Sequence, residues 1–263
     1  MAGLPLEGRI VLVTGGGSGI GLASTKSFAS GGAVVLIADR NGEAADAVAE
    51  SICCAGGRAK AYEVDVSSVA QLRALFVAIE SEFGRLNTLF SHAGVQGGIG
   101  FEVNEEEFDR IVAVNLKSHY FATRFALPLL RKCAPHASII YTASTSGLRA
   151  GSHSPLYSAT KAAILMLMRS AAKQLGPDQI RANAICPGPV ETPFSREFAL
   201  IARQSHSLSD TAHNEVLRSS SQSIPLGRVA QPNDVIGLVQ FLASDQSIYL
   251  TGAAIPIDGG LTA

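Results

Sequence analysis

The chain has 263 residues, of which 47% are hydrophobic and 16% are charged, and its formal net charge is −1. That length fits one large domain or two small ones. The near-neutral charge argues against an electrostatic surface for nucleic acid, and no block of like charges indicates a charged tail.

Apolar runs alternate with helical patterns from residue 9 onward, and the first run, RIVLVTG, is typical of a strand buried on both faces of a sheet. The predicted strands cover residues 9–15, 33–39, 58–65, 86–94, 137–144, 180–188 and 253–260. The predicted helices cover residues 20–30, 43–55, 68–83, 104–132, 155–175 and 234–243. This alternation predicts an α/β fold, a doubly wound parallel sheet of about seven strands with helices on both faces. No linker divides the chain, so we expect a single domain over residues 1–263.

Residues 189–231 depart from the alternation. They are rich in serine and show only a weak helical pattern around residues 210–220. Loops of this length in compact domains are usually functional lids or disordered segments. We expect a substrate lid at about residues 190–224.

The stretch TGGGSGIG, residues 14–21, joins the first predicted strand to the first predicted helix. Glycines in such a turn let the backbone approach a pyrophosphate, whose charge is stabilised by N–H groups at the helix N-terminus. The spacing is G-x3-G-x-G and not the strict GxGxxG, and a plain tight turn uses glycines in the same way. The position of the turn favours dinucleotide binding, with expected contacts from Gly15, Ser18, Gly19, Ile20 and Gly21.

Asp39 ends the second predicted strand, 18 residues beyond Gly21. Nucleotide-binding α/β folds place a ribose-binding carboxylate here, although a turn-capping aspartate would occupy the same position. A carboxylate accepts both ribose hydroxyls of NAD, and it repels a 2′-phosphate by about 4 kcal/mol per charge pair at about 4 Å and an effective dielectric of about 20. Arg40 could soften this repulsion, whereas Ser18 in the turn is neutral. The sequence therefore predicts NAD as the cofactor.

Tyr157 and Lys161 lie four positions apart in LYSATK, residues 156–161, at the start of a predicted helix. Residues at this spacing share one helix face. An ammonium about 5 Å from a phenol lowers the phenol pKa by about two units, toward the range in which general acid–base catalysis is efficient. The pair thus predicts a base for alcohol oxidation, but an amphipathic helix with an exposed Tyr and Lys has the same pattern.

The combination of TGGGSGIG, Asp39, Asn115, Ser144 and YSATK resembles the short-chain dehydrogenase/reductase family in its compact single-domain form, over about residues 6–261. The resemblance implies a Rossmann-type sheet and a catalytic tetrad. In that tetrad Tyr157 is the acid/base, and Lys161 lowers its pKa and holds the nicotinamide ribose. Ser144 hydrogen-bonds the reacting oxygen, and Asn115 bends its helix and positions a water for proton relay to Lys161.

The same resemblance implies further cofactor contacts. They come from the end of the third strand, from SHAG after the fourth strand and from CPGPVET, a cover over the nicotinamide: Asp65, Val66, Ala93, Gly94, Pro187, Gly188, Val190 and Thr192. Two positions depart from the family pattern. His92 replaces an asparagine that steadies the central strand, and Cys186 replaces the asparagine before Pro-Gly. Neither departure lies in the tetrad.

The sequence is least informative about the substrate. The pocket-side candidates ahead of Tyr157 and on the lid are mostly apolar, namely Leu148, Pro155, Val190, Phe194, Phe198 and Leu200. Such walls favour a neutral secondary alcohol or a cyclic ketone, because an anionic substrate needs converging Arg or Lys side chains. Arg196 and Arg203 on the lid leave an anion clamp open, and Arg149 and His153 are the ionisable residues of the 145–155 stretch.

The sequence pattern leaves two alternative functions to consider. A dinucleotide-binding protein without catalysis is expected to have a broken tetrad, whereas all four members are present here. An NADPH-dependent reductase of carrier-bound 3-oxoacyl groups is the second alternative, because PLGRVAQPNDV has some likeness to such enzymes. Asp39 and the near-neutral charge argue against it.

The sequence contains no CxxC, HExxH or comparable spacing, so we expect no metal site. The four cysteines, Cys53, Cys54, Cys133 and Cys186, are interpreted as reduced thiols of a cytosolic protein. The N-terminal residues do not resemble a signal peptide, and the apolar stretch AAILMLM is too short to span a bilayer. The sequence therefore predicts a cytoplasmic protein that binds neither membrane nor nucleic acid.

The helix that begins at LYSATK is apolar on more than one face, with Ala163, Leu167 and Ala171 on one side and Met166 offset from them. A helix that is apolar all round is buried on all sides. One side meets the sheet, so another is expected to meet a partner subunit. Members of the family are similar in pairing through this helix, and we expect a homotetramer.

Overall fold

The computed structural model describes residues 4–150, 154–202 and 209–263. Its strands are Ile10–Thr14 (β1), Val34–Asp39 (β2), Arg58–Glu63 (β3), Thr88–Ser91 (β4), Ser138–Thr142 (β5), Arg181–Pro187 (β6) and Ala254–Ile257 (β7). Its α-helices are Gly19–Ser30 (α1), Gly42–Cys54 (α2), Val69–Phe83 (α3), Glu105–Val112 (α4), Ser118–Arg131 (α5), Thr145–Leu148 (α6), Pro155–Leu175 (α7), Pro193–Ala202 (α8), Asp210–Ser221 (α9) and Pro232–Ala243 (α10). A π-helical turn, Ala113–Lys117, separates α4 from α5, and 3₁₀ turns cover Gly176–Asp178 and Asp245–Ser247.

The seven strands form one sheet in the order β3-β2-β1-β4-β5-β6-β7. All neighbouring strands run parallel. The chain winds outward on one side through β2 and β3 and on the other through β4 to β7, so the order reverses between β1 and β4. Ligands of doubly wound sheets bind at the carboxyl ends of the strands at such a reversal. The predicted fold class is confirmed.

Alternate side chains of each strand enter two separate cores, because successive residues of a strand point to opposite faces. Leu12 and Leu89 pack on one face with residues of α3, α5 and α7. Val13 and Phe90 pack on the other face with residues of α1, α2 and α10. The ring of Phe90 meets the edge of Phe28 at a centroid distance of 6.2 Å. Helices therefore cover both faces of the sheet.

The helix predicted over residues 104–132 is not continuous. It begins as expected, since the side chain of Asn104 caps α4 by accepting a hydrogen bond from the backbone N–H of Glu107 at 2.8 Å. The winding then widens into the π-helical turn at Asn115 before α5 begins. Such turns are rare inserts within α-helices and are frequent at functional sites.

The predicted lid region contains two helices, α8 and α9, and only α9 falls where the sequence showed a weak helical pattern. Its ends are tied together by backbone pairing. The N–H of Glu191 donates to the carbonyl of Ala230 at 2.8 Å, and the N–H of Ala230 donates to the carbonyl of Pro189 at 3.1 Å. We call residues 190–224 the lid segment.

Candidate active site

The glycine turn between β1 and α1 has backbone angles and close contacts that a residue with a Cβ could not adopt. Gly15 and Gly19 have φ of +71° and +52°, in the left-handed region that favours glycine. A Cβ on Gly21 would lie 1.9 Å from the carbonyl oxygen of Gly15. Ser18 is the extended N-cap residue of α1, and Ile20 lies in its first turn. The first N–H groups of the helix thus stand at the switch point of the sheet, as an anionic ligand requires.

Asp39 lies beside this turn at the end of β2. One carboxylate oxygen accepts a hydrogen bond from the N–H of Gly17 at 2.9 Å, and the other accepts one from the N–H of Asn41 at 3.0 Å. The side chain is only half-buried, so further lone pairs remain for a ligand. The glycine cradle and the adjacent carboxylate together fit the pyrophosphate and ribose of a nicotinamide dinucleotide.

Asp65 and Val66 follow β3 at the same edge of the sheet. The N–H of the preceding residue, Val64, donates to the carbonyl of Asp39 at 2.8 Å, which places this segment next to the end of β2. Val66 is buried and Asp65 is exposed. The Asp65 carboxylate accepts a hydrogen bond from the N–H of Ser67 at 2.9 Å. The pair therefore lies beside the end of β2, at the same edge of the sheet as the glycine turn.

The loop after β4 packs directly on the glycine turn. A Cβ on Gly15 would lie 3.0 Å from the Cα of Ala93. The N–H groups of His92 and Ala93 both donate to the hydroxyl of Thr14, at 3.0 and 3.2 Å. The Nδ1 of His92 lies 2.9 Å from the hydroxyl of Thr142, so the ring joins β4 to β5. Burial, with Lys161 adding to it, lowers the pKa of His92 to about 3, and the ring is neutral. His92 thus links the central strands where the family has asparagine.

The four tetrad residues meet at the carboxyl ends of β4 and β5. Ser144 and Tyr157 are joined by a side-chain hydrogen bond. The ammonium of Lys161 donates to the carbonyl of Thr142 at 2.9 Å and lies 5.5 Å from the centre of the Tyr157 ring. Asn115 is close to the same ammonium, because a Cβ on Gly94 would lie 3.4 Å from Lys161 Nζ and 3.5 Å from Asn115 Oδ1.

Asn115 also organises the backbone around it. Its carbonyl oxygen accepts the N–H of Val95 at 2.8 Å, and its amide nitrogen donates to the carbonyl of Val95 at 2.9 Å. The same nitrogen lies 3.4 Å from the hydroxyl of Thr160 on α7. One amide therefore joins the widened turn, the loop after β4 and the helix that carries Tyr157 and Lys161.

The pKa of Tyr157 moves in the direction opposite to the one expected from its spacing to Lys161. Burial raises the pKa of Tyr157 to about 12, and the hydrogen bond from Ser144 opposes this shift. Burial also lowers the pKa of Lys161 to about 8. Desolvation of the phenolate therefore outweighs the opposing hydrogen bond from Ser144. At neutral pH the chain's own residues keep Tyr157 protonated and Lys161 charged.

Cys186 lies fully buried in β6 beneath this site. Burial raises the pKa of its thiol to about 11, and the neighbouring Lys161 opposes the shift. Pro187 ends β6, and the N–H of Gly188 donates to the carbonyl of Ile257 at 3.2 Å. A Cβ on Gly188 would lie 2.9 Å from the Cβ of Asp258, so this turn has room for glycine alone.

The start of the lid segment contacts both the glycine turn and Tyr157. A Cβ on Gly19 would lie 3.2 Å from the Cγ2 of Thr192, which places Thr192 over the glycine turn. The Thr192 hydroxyl donates to the carbonyl of Val190 at 3.3 Å, and Val190 is buried. Phe194 lies against Tyr157, with ring centroids 6.0 Å apart and an interplanar angle of 48°. The first turn of α8 therefore covers the acid/base candidate.

The remaining pocket candidates fall into two groups. Leu148 at the end of α6 and Arg149 directly after it are exposed, and Arg196 is exposed on α8. Pro155 and Leu200 are half-buried. His153 and Arg203 lie outside the described residues, as does the side chain of Phe198. Among the described residues, no group of three His, Cys, Asp or Glu side chains could hold a metal ion. Within the same ranges no helix is long and apolar enough to cross a membrane.

Sequence reasoning missed three residues that shape the site. Thr14 and Thr142 end β1 and β5, and a hydroxyl residue after a buried apolar strand is the signal that could have indicated them. Gln96 is buried in the loop after β4, and its amide donates to the carbonyl of Phe194 at 3.3 Å. Nothing in the local pattern distinguishes Gln96 from an exposed loop glutamine.

Comparison with known proteins agrees with this geometry. A family model described as enoyl-(acyl carrier protein) reductase matches residues 15–262. The chain is 34% identical to meso-2,3-butanediol dehydrogenase of Serratia marcescens over 258 residues, which cover 98% of this chain and 96% of the relative. It is 32% identical to the 3-oxoacyl-acyl-carrier-protein reductase of Thermotoga maritima over 257 residues, covering 97% of this chain and 98% of the relative.

The fold is equally close to solved structures. A short-chain type dehydrogenase/reductase from Mycobacterium marinum matches with a TM-score of 0.89 and 30% identity, covering 99% of this chain and 98% of that chain. The match extends over nearly the whole length of both chains. The chain belongs to the short-chain dehydrogenase/reductase family of nicotinamide-dependent oxidoreductases.

Proposed function

We propose that the protein is an NAD-dependent oxidoreductase that interconverts a neutral secondary alcohol and its ketone by hydride transfer, with Tyr157 as general acid/base. The observation that carries this proposal is the joining of Ser144, Tyr157 and Lys161 in one cluster beside the glycine turn. A bound nicotinamide supplies the hydride donor or acceptor.

The chain's own groups handle the proton. In this proposal Ser144 and Tyr157 donate hydrogen bonds to one substrate oxygen, and Tyr157 gives its proton to that oxygen in the direction of ketone reduction. Oxidation requires the phenol to release that proton first. Because burial raises the pKa of Tyr157 to about 12, the rate of alcohol oxidation is expected to increase with pH between about 7 and 10.

Lys161 and Asn115 complete this arrangement. The ammonium of Lys161 is 2% exposed and is held by the Thr142 carbonyl, so it stands fixed where the nicotinamide ribose is proposed to bind. Asn115 holds the backbone of Val95 on the other side of the ammonium. We infer that Asn115 positions the groups through which a proton passes to and from Lys161.

The cofactor contacts proposed from the sequence lie along one edge of the sheet. Asp39 favours NAD, because its half-buried carboxylate accepts ribose hydroxyls and repels a 2′-phosphate. The contacts that we propose are those of the glycine turn, the ends of β2, β3 and β4, and the start of the lid: Gly15, Ser18, Gly19, Ile20, Gly21, Asp39, Asp65, Val66, Ala93, Gly94, Tyr157, Lys161, Pro187, Gly188, Val190 and Thr192.

A neutral substrate is supported by the surroundings of Tyr157. Phe194 supplies an aromatic wall next to the phenol, and the two arginines considered for an anion clamp among the described residues, Arg149 and Arg196, are exposed. The name of the Serratia marcescens relative specifies a neutral secondary diol. The proposal is tested with a panel of neutral and anionic secondary alcohols, assayed by NADH formation near pH 9. Higher kcat/KM for carboxylated or phosphorylated members, lost in Arg196→Ala or Arg203→Ala, would replace this proposal with an anion clamp.

A second candidate is an NADPH-dependent reductase of 3-oxoacyl groups on a carrier protein. The similarity to the Thermotoga maritima reductase favours it. The two candidates differ in cofactor and in substrate. Turnover of a 3-oxoacyl thioester with NADPH at a rate well above that with NADH would favour this second candidate.

We also propose that the protein is a homotetramer. Large apolar side chains are exposed on neighbouring helices, with Met166 of α7 at 59%, Tyr120 of α5 at 54% and Phe108 of α4 at 48%. A second copy of this chain would cover them. Light scattering at micromolar concentration is expected to give the mass of four chains, and a monomer would contradict the proposal.

A further inference from the structure

The loop after β4, residues 93–98, is hydrogen-bonded to one residue of the tetrad, Asn115. Both backbone groups of Val95 are hydrogen-bonded to the amide of Asn115. On the other side, a Cβ on Gly97 would lie 2.7 Å from the hydroxyl of Ser154 and 3.5 Å from the Cβ of Tyr157. The backbone on each side of Gln96 is therefore fixed against residues that adjoin the acid/base candidate.

The side chain of Gln96 reaches from this fixed backbone to the lid segment. It is only 6% exposed, and its amide nitrogen donates to the carbonyl of Phe194 at 3.3 Å, across 98 residues of sequence. A buried amide is stabilising only when its polar atoms find partners. This partner is a backbone group in the first turn of α8, so the bond holds the helix and not merely one side chain.

The residue whose backbone Gln96 holds is the one that covers Tyr157. The Phe194 ring lies 6.0 Å from the Tyr157 ring at an angle of 48°. The Phe194 ring therefore lines one side of the Tyr157 ring. A saturated ring has fewer free rotations than an open chain of the same size, so it loses less conformational entropy when it packs against such an aromatic wall.

We propose that Gln96 is a positioning residue that sets substrate specificity by holding Phe194 as an aromatic wall over Tyr157, and that this wall selects cyclic over open-chain secondary alcohols. This inference rests on the proposed function. Gln96 takes no part in proton transfer and acts through Phe194. Through the loop of residues 93–98, Gln96 connects the hydrogen bonds of Asn115 with the backbone of Phe194 in the lid segment.

The proposal is tested with Gln96→Leu, Phe194→Ala and the double variant, and Gln246→Leu serves as a matched control because Gln246 is exposed outside the site. We measure kcat/KM for cyclohexanol and 2-hexanol and take their ratio. The ratio is expected to fall about two- to tenfold in Gln96→Leu, the range corresponding to one ordinary hydrogen bond. The double variant is expected to match Phe194→Ala, because without the ring there is nothing left for Gln96 to position. Additive effects, or an unchanged ratio in Gln96→Leu, would overturn the proposal.

A second measurement does not depend on turnover. Amide hydrogen exchange of peptides covering α8 is expected to be about two- to tenfold faster in Gln96→Leu than in the unmodified chain and in Gln246→Leu. Unchanged exchange in α8 would overturn the proposal even if the enzyme were active. If no neutral alcohol is oxidised at all, the proposed function fails, while the exchange result still decides whether Gln96 holds the lid.

Discussion

Replacing Asp39 with asparagine removes a charge from the proposed ribose site while nearly preserving the shape of the side chain. At about 5 Å and an effective dielectric of about 20, one pair of like charges repels by about 3 kcal/mol. Asp39 is half-buried, so solvent and salt reduce this to about 1 kcal/mol per charge. A 2′-phosphate has a charge of nearly −2, which gives about 2 kcal/mol, or about a 30-fold change in relative affinity.

The assay is a fluorescence titration of NADH and NADPH against the unmodified chain, Asp39→Asn and the control Asp46→Asn, whose carboxylate is exposed on α2. The ratio of the two dissociation constants is expected to shift toward NADPH by about 30-fold in Asp39→Asn and to stay unchanged in the control. NADH affinity should also fall, because an amide accepts fewer hydrogen bonds than a carboxylate. Equal affinities for both cofactors in the unmodified chain would contradict the proposed NAD preference and indicate that Arg40 overrides Asp39.

Two further predictions concern folding. Gly21→Ala is expected to lower the free energy of unfolding, measured in urea, by at least about 3 kcal/mol, because its Cβ would lie 1.9 Å from the Gly15 carbonyl oxygen. The control Gly237→Ala lies in α10 with open space around the added Cβ, and it should be neutral or slightly stabilising. Burial lowers the pKa of Lys161 to about 8 in the folded chain, against about 10.5 in the unfolded chain. Between these two pH values the unfolded chain binds more protons than the folded chain, so the contribution of Lys161 to the free energy of unfolding should increase with pH. In Lys161→Met that increase should be absent, and its persistence would show that another group causes it.

The sheet and the glycine turn could be predicted because their signals are local. A strand such as β1 is buried throughout, so it needs an unbroken apolar run, and the turn needs glycine at Gly15 and Gly21 for steric reasons that hold in any context. Helical propensity over residues 104–132 does not register a π-helical turn, whereas the family resemblance implied a bend at Asn115, which is where the turn lies. That turn is held by contacts of Asn115 with Val95 and Thr160, which come from elsewhere in the chain.

In the candidate site, too, local features could be predicted from the sequence, whereas features that depend on tertiary packing could not. The spacing of Tyr157 and Lys161 correctly places ammonium and phenol near each other, at 5.5 Å from nitrogen to ring centre. The direction of the Tyr157 pKa shift was predicted wrongly, since desolvation depends on the surrounding packing and not on spacing. The contact between Gln96 and Phe194 spans 98 residues and follows only from the tertiary fold. The helix α8 that carries Phe194 was not predicted either.

The proposed function depends above all on the Tyr157 hydroxyl, which we propose to transfer the proton in a nicotinamide-dependent oxidation. Tyr157→Phe removes this hydroxyl and leaves the ring against Phe194. The measurement is NADH formation from the best neutral alcohol of the panel near pH 9, together with the dissociation constant for NADH in the same preparation. Tyr157→Phe is expected to retain NADH binding and to lose at least about 100-fold in kcat, the lower end of what general acid–base catalysis contributes. Wild-type turnover by Tyr157→Phe would contradict this proposal.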